Sequence, residues 1–589
     1  MLTLQPDTIL GNRHNARLVD KRHLTAYGCA EMWPNALMKP LLRVLRLSRS
    51  RLCPAKGPRM GLLISLILGA LLGLDGCGDS PSSPLEQAKQ LINGGDGAKA
   101  VEVLDKVLQK NPKDLAALIM RGRARERSDE TDLALQDYQE AVQLNPDSAE
   151  AWEAKGRLLE KLRDYDGAIR DMEQAAKLAE KPAAVISAIG LIYFYKEDYR
   201  EAQRNFDRST ELDPREESAY FGRAAIRIEE KDYRGAVREM DSLLRFQSKN
   251  AQAFFRRGFA QLKAAQPLNA VVDFNKALEL DSDMTEIYWY RADAYRAMND
   301  LEHALKDYDK AAAVDPNDSI LFLNQGSLLM MMNRYPEALE KLRRSIVLDP
   351  ENPLPYINRA TLHLRTANYL GALRDLNKAL DIRGDDSWLL VKRASIFKVI
   401  ARGDWALADL DKAISLDASN QEAWLLRGSL YFNEKQLERA IDDLNEAIRL
   451  TPDDPAAYRL LAEALLRKGD TAEALEMVGQ ALRKESSFAS AYVTMGDIHM
   501  ADSHIDRAVE AYSHALSIDP NNFEARLKRG KINMELGSYA EAVTDFDHAA
   551  KANPYSGEVY LLRAQCYETL GDSEKANQDM WKARVFANR

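Results

Sequence analysis

The chain has 589 residues, of which 46% are hydrophobic and 29% charged, a composition that excludes extensive disorder. Charge is uneven: residues 1–80 hold 11 Lys/Arg against 5 Asp/Glu, and the remainder carries a net −15, which repels phosphate backbones and excludes nucleic acid as a general partner. The four cysteines, Cys29, Cys53, Cys77 and Cys566, give neither a disulfide framework nor metal-ligand spacing, so neither a metal nor another cofactor is expected.

Residues 1–59 read as an N-terminal extension ending in a basic stretch with Arg43, Arg46, Arg49, Arg51, Lys56 and Arg59. Residues 1–37 have no helical or strand period, as expected of an over-extended gene start with Met38 or Met60 as the initiator. The apolar run GLLISLILGALLGL, 61–74, is short for a membrane span but the right length for a signal-peptide core, here 60–76; an uncleaved anchor and a core helix are the plainer alternatives. It ends in LDGCGDSPSSP, which resembles a bacterial lipobox: Gly76 precedes Cys77, and Leu74 fits the apolar position three residues before it, while Asp75 is an unusual occupant of the next. The resemblance implies lipidation at Cys77, a short tether over 77–84, and a membrane-anchored lipoprotein facing the periplasm of a bacterial envelope. A cytoplasmic protein with a spurious N-terminus is the alternative.

From Pro81 to Arg589 the sequence repeats every 34 residues without insertion or deletion, with repeat starts at 81, 115, 149 and so on to 557. Fifteen repeats fit, the last one residue short. Position 8 is Gly or Ala in all fifteen, position 20 is Ala in all fifteen, position 27 is Ala in eleven and position 32 is Pro in eight. Apolar or small residues at 4, 8 and 11, a polar break near 15 to 18, and small or apolar residues at 20, 24 and 27 predict a helix A, a turn and a helix B per repeat. Small residues at 8, 20 and 27 let two helices pack closely.

This pattern resembles the tetratricopeptide repeat (TPR) family over residues 81–589, the solenoid proper beginning at 85. The resemblance implies an all-α solenoid, a right-handed superhelix whose A helices line a concave groove, and one continuous array rather than several domains.

A basic residue at position 7 recurs in ten repeats, and the same ten carry an acid at position 23; the other five have neither. Arg257 with Asp273, Arg291 with Asp307 and Arg427 with Asp443 exemplify it. This all-or-none pattern predicts a bridge between helices A and B rather than an anion site, because either partner alone would be poorly compensated. Repeat 15 has polar Asn577 and Arg584 at positions 21 and 28, which suits a terminal repeat. Repeat 4 has Gln203 and Thr210 there and no 7/23 pair, so its junction with repeat 5 is either soft or a rigid polar contact.

No phosphate-binding loop, HExxH, GxSxG or Cys/His dyad is present, and His363 and His499 fall at the packed position 11; the expectation is a non-enzymatic scaffold. The Lys at 5 and Asn at 9 of the carboxylate clamp known from other TPR proteins are absent. Only Asn324 and Asn358 suggest the asparagine ladder of O-GlcNAc transferases, whose TPR half implies the alternative of a recruitment subunit for a separate glycosyltransferase.

Helix A positions 2, 5, 6, 9, 12 and 13 are expected in the groove. Position 5 is apolar from repeat 5 to repeat 11: Phe221, Phe255, Trp289, Leu323, Ile357, Val391 and Leu425. Phe194, Phe259 and Met330 widen that stripe, and Tyr290, Arg256, Arg296 and Lys392 join it in a locally basic region. The expected partner is a protein or peptide segment with apolar anchors and some acidic residues.

Overall fold

The computed structural model describes residues 83–586; the signal-like segment and Cys77 lie outside them. Among the described residues are thirty α-helices, two per repeat, and no strands. Helix A spans positions 1–13 and helix B positions 17–30 in most repeats, as in Leu115–Arg127 and Thr131–Leu144 of repeat 2. The sequence marks no internal boundary, yet the chain packs as two bodies, residues 83–334 and 335–586. They divide within repeat 8, which has Gln325 and Lys341 where ten other repeats have the base and acid.

Side-chain caps set the helix starts. Asp114, Ser148, Asn250, Asp386 and Asn420 at position 34 accept from the third backbone N–H beyond them and open helix A. Asp164, Asp198, Asp232 and Asn368 at position 16 do the same for helix B. Between the helices, position 15 is left-handed in every repeat, with φ from 55° to 99°, and eleven of these residues are not glycine. The turn closes through the N–H of position 16 on the carbonyl of position 11, as from Asp470 to Leu465 at 2.9 Å.

A Cβ is disfavoured in that conformation, so Lys435→Gly is expected to gain about 1 kcal/mol and Gly469→Ala to lose a similar amount. Thermal midpoints of the two variants check this. A lowered midpoint for Lys435→Gly would show that the turn stores no strain.

Every position-20 alanine is buried, which brings helix B onto helix A. Position 8 is glycine wherever position 24 carries a ring, except for Ala292 with Tyr308. A Cβ on Gly122 would lie 2.4 Å from the Tyr138 ring, and one on Gly496 would lie 2.5 Å from Tyr512. Ring size on helix B is thus accommodated by a missing side chain on helix A. Position 4 rings close the connection before their helix: Trp152 and Trp424 donate at 2.9 Å to the carbonyls of Pro146 and Ala418, at position 32 of the preceding repeat.

Within each body, adjacent A helices approach one another while adjacent B helices scarcely touch. The A helices therefore line the inner face. They come closest between repeats 4 and 5, where Ala183–Tyr195 meets Glu217–Glu229 across Gly222. Phe206 of repeat 4 is buried against Gly190 and Gly222. The polar residues of this junction are bonded: Gln203 donates to Asp207 at 2.8 Å, and Arg223 reaches Asp207 at 3.0 Å and Thr210 at 3.3 Å. The junction is thus a polar contact closed by hydrogen bonds.

Candidate functional site on the helix A face

All ten base–acid pairs of positions 7 and 23 are in contact, at 2.6 to 3.1 Å. In Arg257, Arg291 and Arg427 the guanidinium is bidentate, Nε and Nη2 each donating to one oxygen of Asp273, Asp307 or Asp443. Hydrogen bonds to these carboxylates hold Arg257 and Arg427 above the usual guanidinium range despite burial. The remaining Nη1 makes a contact that the repeat pattern did not suggest. It reaches back to position 25 of the preceding helix B, at Asp105, Asp207, Asp241, Asn275, Asn377, Asp411 or Asp547, over 2.6 to 3.0 Å. One arginine thus fastens its own two helices and the previous repeat.

A second group of charges stands on the inner face. Tyr138, Tyr308 and Tyr512 rise through the core from position 24, and their hydroxyls donate to Glu126, Asp293 and Asp497 at 2.5, 2.5 and 2.7 Å. Each acid also holds a cation: Lys161 at 2.5 Å, Arg296 at 3.0 Å and Lys528 at 2.7 Å respectively. Burial, then the neighbouring carboxylate, pushes the Tyr512 hydroxyl well above the usual phenol range. These three acid–cation sets are structural, so Arg296 is committed to Asp293 rather than presented to a partner.

The apolar stripe differs from the expectation. Phe194, Phe221, Phe255, Leu323, Met330 and Ile357 are buried, with Phe255 only 3% exposed, so none is an open anchor. For Phe221 and Phe255 the cover is the side chain at position 6 of the next repeat, which lies over position 5. Arg256 covers the Phe221 ring at 4.5 Å, and Tyr290 covers Phe255 at 5.5 Å. At these two positions the ring serves packing between repeats. Trp289, Tyr290 and Phe259 are half-buried and form one cluster, Tyr290 stacking on Trp289 at 5.8 Å and meeting Phe259 edge-on at 5.3 Å. Phe194 belongs to a separate group with Tyr199 in repeat 4. Asn324 is half-buried in the N-terminal body; Asn358 is half-buried in the C-terminal one, where Lys392 is paired with Glu422 at 2.7 Å. His499, 8% exposed, is packed in the core.

A profile described as "Tetratricopeptide repeat" matches residues 85–149, 119–185, 187–251, 290–353 and 527–578, and one described as "TPR repeat" matches 428–469 and 496–537. The chain belongs to the tetratricopeptide repeat family. Proteins of this family are in general protein-interaction scaffolds, and its all-α solenoid is typical of non-enzymatic ones.

No curated protein matches this TPR chain. Among solved structures, the APC/C hetero-tetramer Cut9–Hcn1 is 15% identical, covering 86% of this chain and 99% of its own, with a TM-score of 0.40. YrrB, a TPR protein with an unusual peptide-binding site, is 22% identical over 31% of this chain and 95% of its own, TM-score 0.28. A tetratricopeptide repeat protein from Parabacteroides merdae is 19% identical over 42% of this chain and 97% of its own, TM-score 0.34. Likeness at that level bears on neither site nor partner.

Three features escaped the reading of the repeats. Position 25 carries Asp or Asn before seven of the position-7 arginines, sixteen residues away, the same spacing that separates positions 7 and 23. Tyrosine at position 24 goes with an acid at 9 or 12. The cover over position 5 had no signal within a single repeat, because it comes from the next one.

Proposed function

We propose that this TPR protein is a lipid-anchored, non-enzymatic scaffold that holds a segment of another protein on its helix A faces, at the periplasmic side of a bacterial envelope membrane. The repeat array supports the scaffold part: the helices of each body leave one inner face built from successive A helices, where Trp289, Tyr290 and Phe259 stay half-buried. The lipobox-like sequence ending at Cys77, followed by the tether and then directly by the array, supports the anchor.

Metabolic labelling with an alkynyl fatty acid tests the anchor. Wild type is expected to take up label and fractionate with membranes, and Cys77→Ala to lose the label. Equal labelling of the two, or none in either, would remove the anchor and leave a scaffold of unknown location.

A further inference from the structure

In the C-terminal body, the helix A faces of repeats 9 to 12 carry a surplus of positive charge that the fold does not neutralise. Their two acids are both held, Glu422 by Lys392 at 2.7 Å, and Glu463 by Arg459 and by the Thr494 hydroxyl at 3.1 Å. Three cations, Arg365, Lys398 and Arg467, have no carboxylate within ion-pair distance among the described residues. Two of them converge on one helix. From repeat 10, the Lys398 ammonium donates to the Ser429 hydroxyl at 2.7 Å. From repeat 12, the Arg467 guanidinium lies 3.8 Å from the centre of the Phe432 ring and 3.4 Å from the Phe432 carbonyl.

Ser429 and Phe432 are three residues apart in the last turns of the same helix, Gln421–Asn433, and so share a face. A helix C-terminus offers about half an elementary negative charge, too little to balance two full cations. Burial pulls the Lys398 ammonium below the usual lysine range, which is the mark of a charge that lacks compensation.

We propose that repeats 9 to 12 take an acidic polypeptide segment, one carboxylate seated between Lys398 and Arg467 beside the Ser429 hydroxyl, with the segment continuing past Arg365. This rests on the scaffold reading and names the chemistry of its partner. The rest of the chain favours a short acidic segment over a long polyanion. Beyond residue 80 the net charge is −15, so a nucleic acid strand would gain at this island and be repelled on either side of it.

The test is fluorescence anisotropy of the full chain with a labelled Glu-rich peptide, its Gln-substituted twin and a labelled oligothymidylate. The Glu peptide is expected to bind, to weaken as salt rises, and to outcompete both others. Lys398→Met with Arg467→Leu is expected to weaken it at least about tenfold. Arg365→Ser, at an exposed position that leaves the packing alone, is expected to weaken it several-fold, and Arg439→Gln on helix B to leave it unchanged. Equal binding of the Glu and Gln peptides, preference for the oligonucleotide, or full affinity in both Arg365→Ser and a folded double variant would overturn the proposal. So would native partners that co-purify equally with wild type and the double variant, a result that leaves the scaffold reading standing.

Discussion

Arg291→Ala is expected to destabilise its surroundings by about 3 to 5 kcal/mol, the usual cost of removing one member of a buried pair. Asp307 is 3% exposed and would lose both guanidinium bonds, at 2.6 and 2.8 Å, keeping only a distant Lys310 at 3.9 Å. Asn275 in the preceding repeat would lose its donor at 2.6 Å as well. The double replacement Arg291→Met with Asp307→Leu is expected to be milder than Arg291→Ala, because it removes the buried charges together and fills the space with apolar atoms. Native-state hydrogen exchange across repeats 6 and 7 is the suitable measurement, since an array opens locally before it unfolds as a whole. Two single losses that simply add in the double variant would mean the pair is not coupled.

Gly222→Ala is expected to cost about 1 to 3 kcal/mol, in the range of core overpacking. A Cβ there would sit 2.2 Å from Cζ of Phe206 and 2.5 Å from each Cε, and that ring is 1% exposed, with Gly190 packed along its Cε1 and Cδ1 side. Phe206→Leu should itself be destabilising through the cavity it leaves, yet combining it with Gly222→Ala should recover part of the loss, giving a favourable coupling between the two. Hydrogen exchange in helices Ala183–Tyr195 and Glu217–Glu229 reads both effects. A neutral Gly222→Ala would show that the ring shifts freely and that this junction is loose after all.

The fold was legible because it is carried by side chains whose absence is visible. Ala100 through Ala576 at position 20, and glycine or alanine at position 8, announce close helix packing wherever they fall. The Arg to Asp bridges were legible for a related reason: ten joint presences and five joint absences are evidence of contact within a single sequence. The candidate site was harder to read. Apolar residues at position 5 look alike whether they face a partner or a neighbouring helix, and only the placement of Arg256 over Phe221 and of Tyr290 over Phe255 separates the two. Likewise, counting cations along helix A overstated the free charge at Lys392 and Arg296, which are paired. It understated the importance of Arg467, whose position 13 carries no regular pattern.

The backward reach of the position-7 arginine changes what counts as an exchangeable module. Cutting between helices A and B severs Arg427 from Asp443, while cutting between repeats severs it from Asp411, so no splice through that region is clean. Seams exist where the arginine is missing. Ile189, Leu461 and Met495 occupy position 7 of repeats 4, 12 and 13, and there adjoining repeats are joined without the arginine, by apolar packing and by peripheral contacts such as Lys196 with Asp166 at 2.5 Å and Lys484 with Asp453 at 2.7 Å. Chimeras, circular permutations and lineage-specific gains or losses of repeats should favour joints of this kind, just ahead of residues 183, 455 and 489, over joints stapled by an arginine, such as that between Arg427 and Asp411.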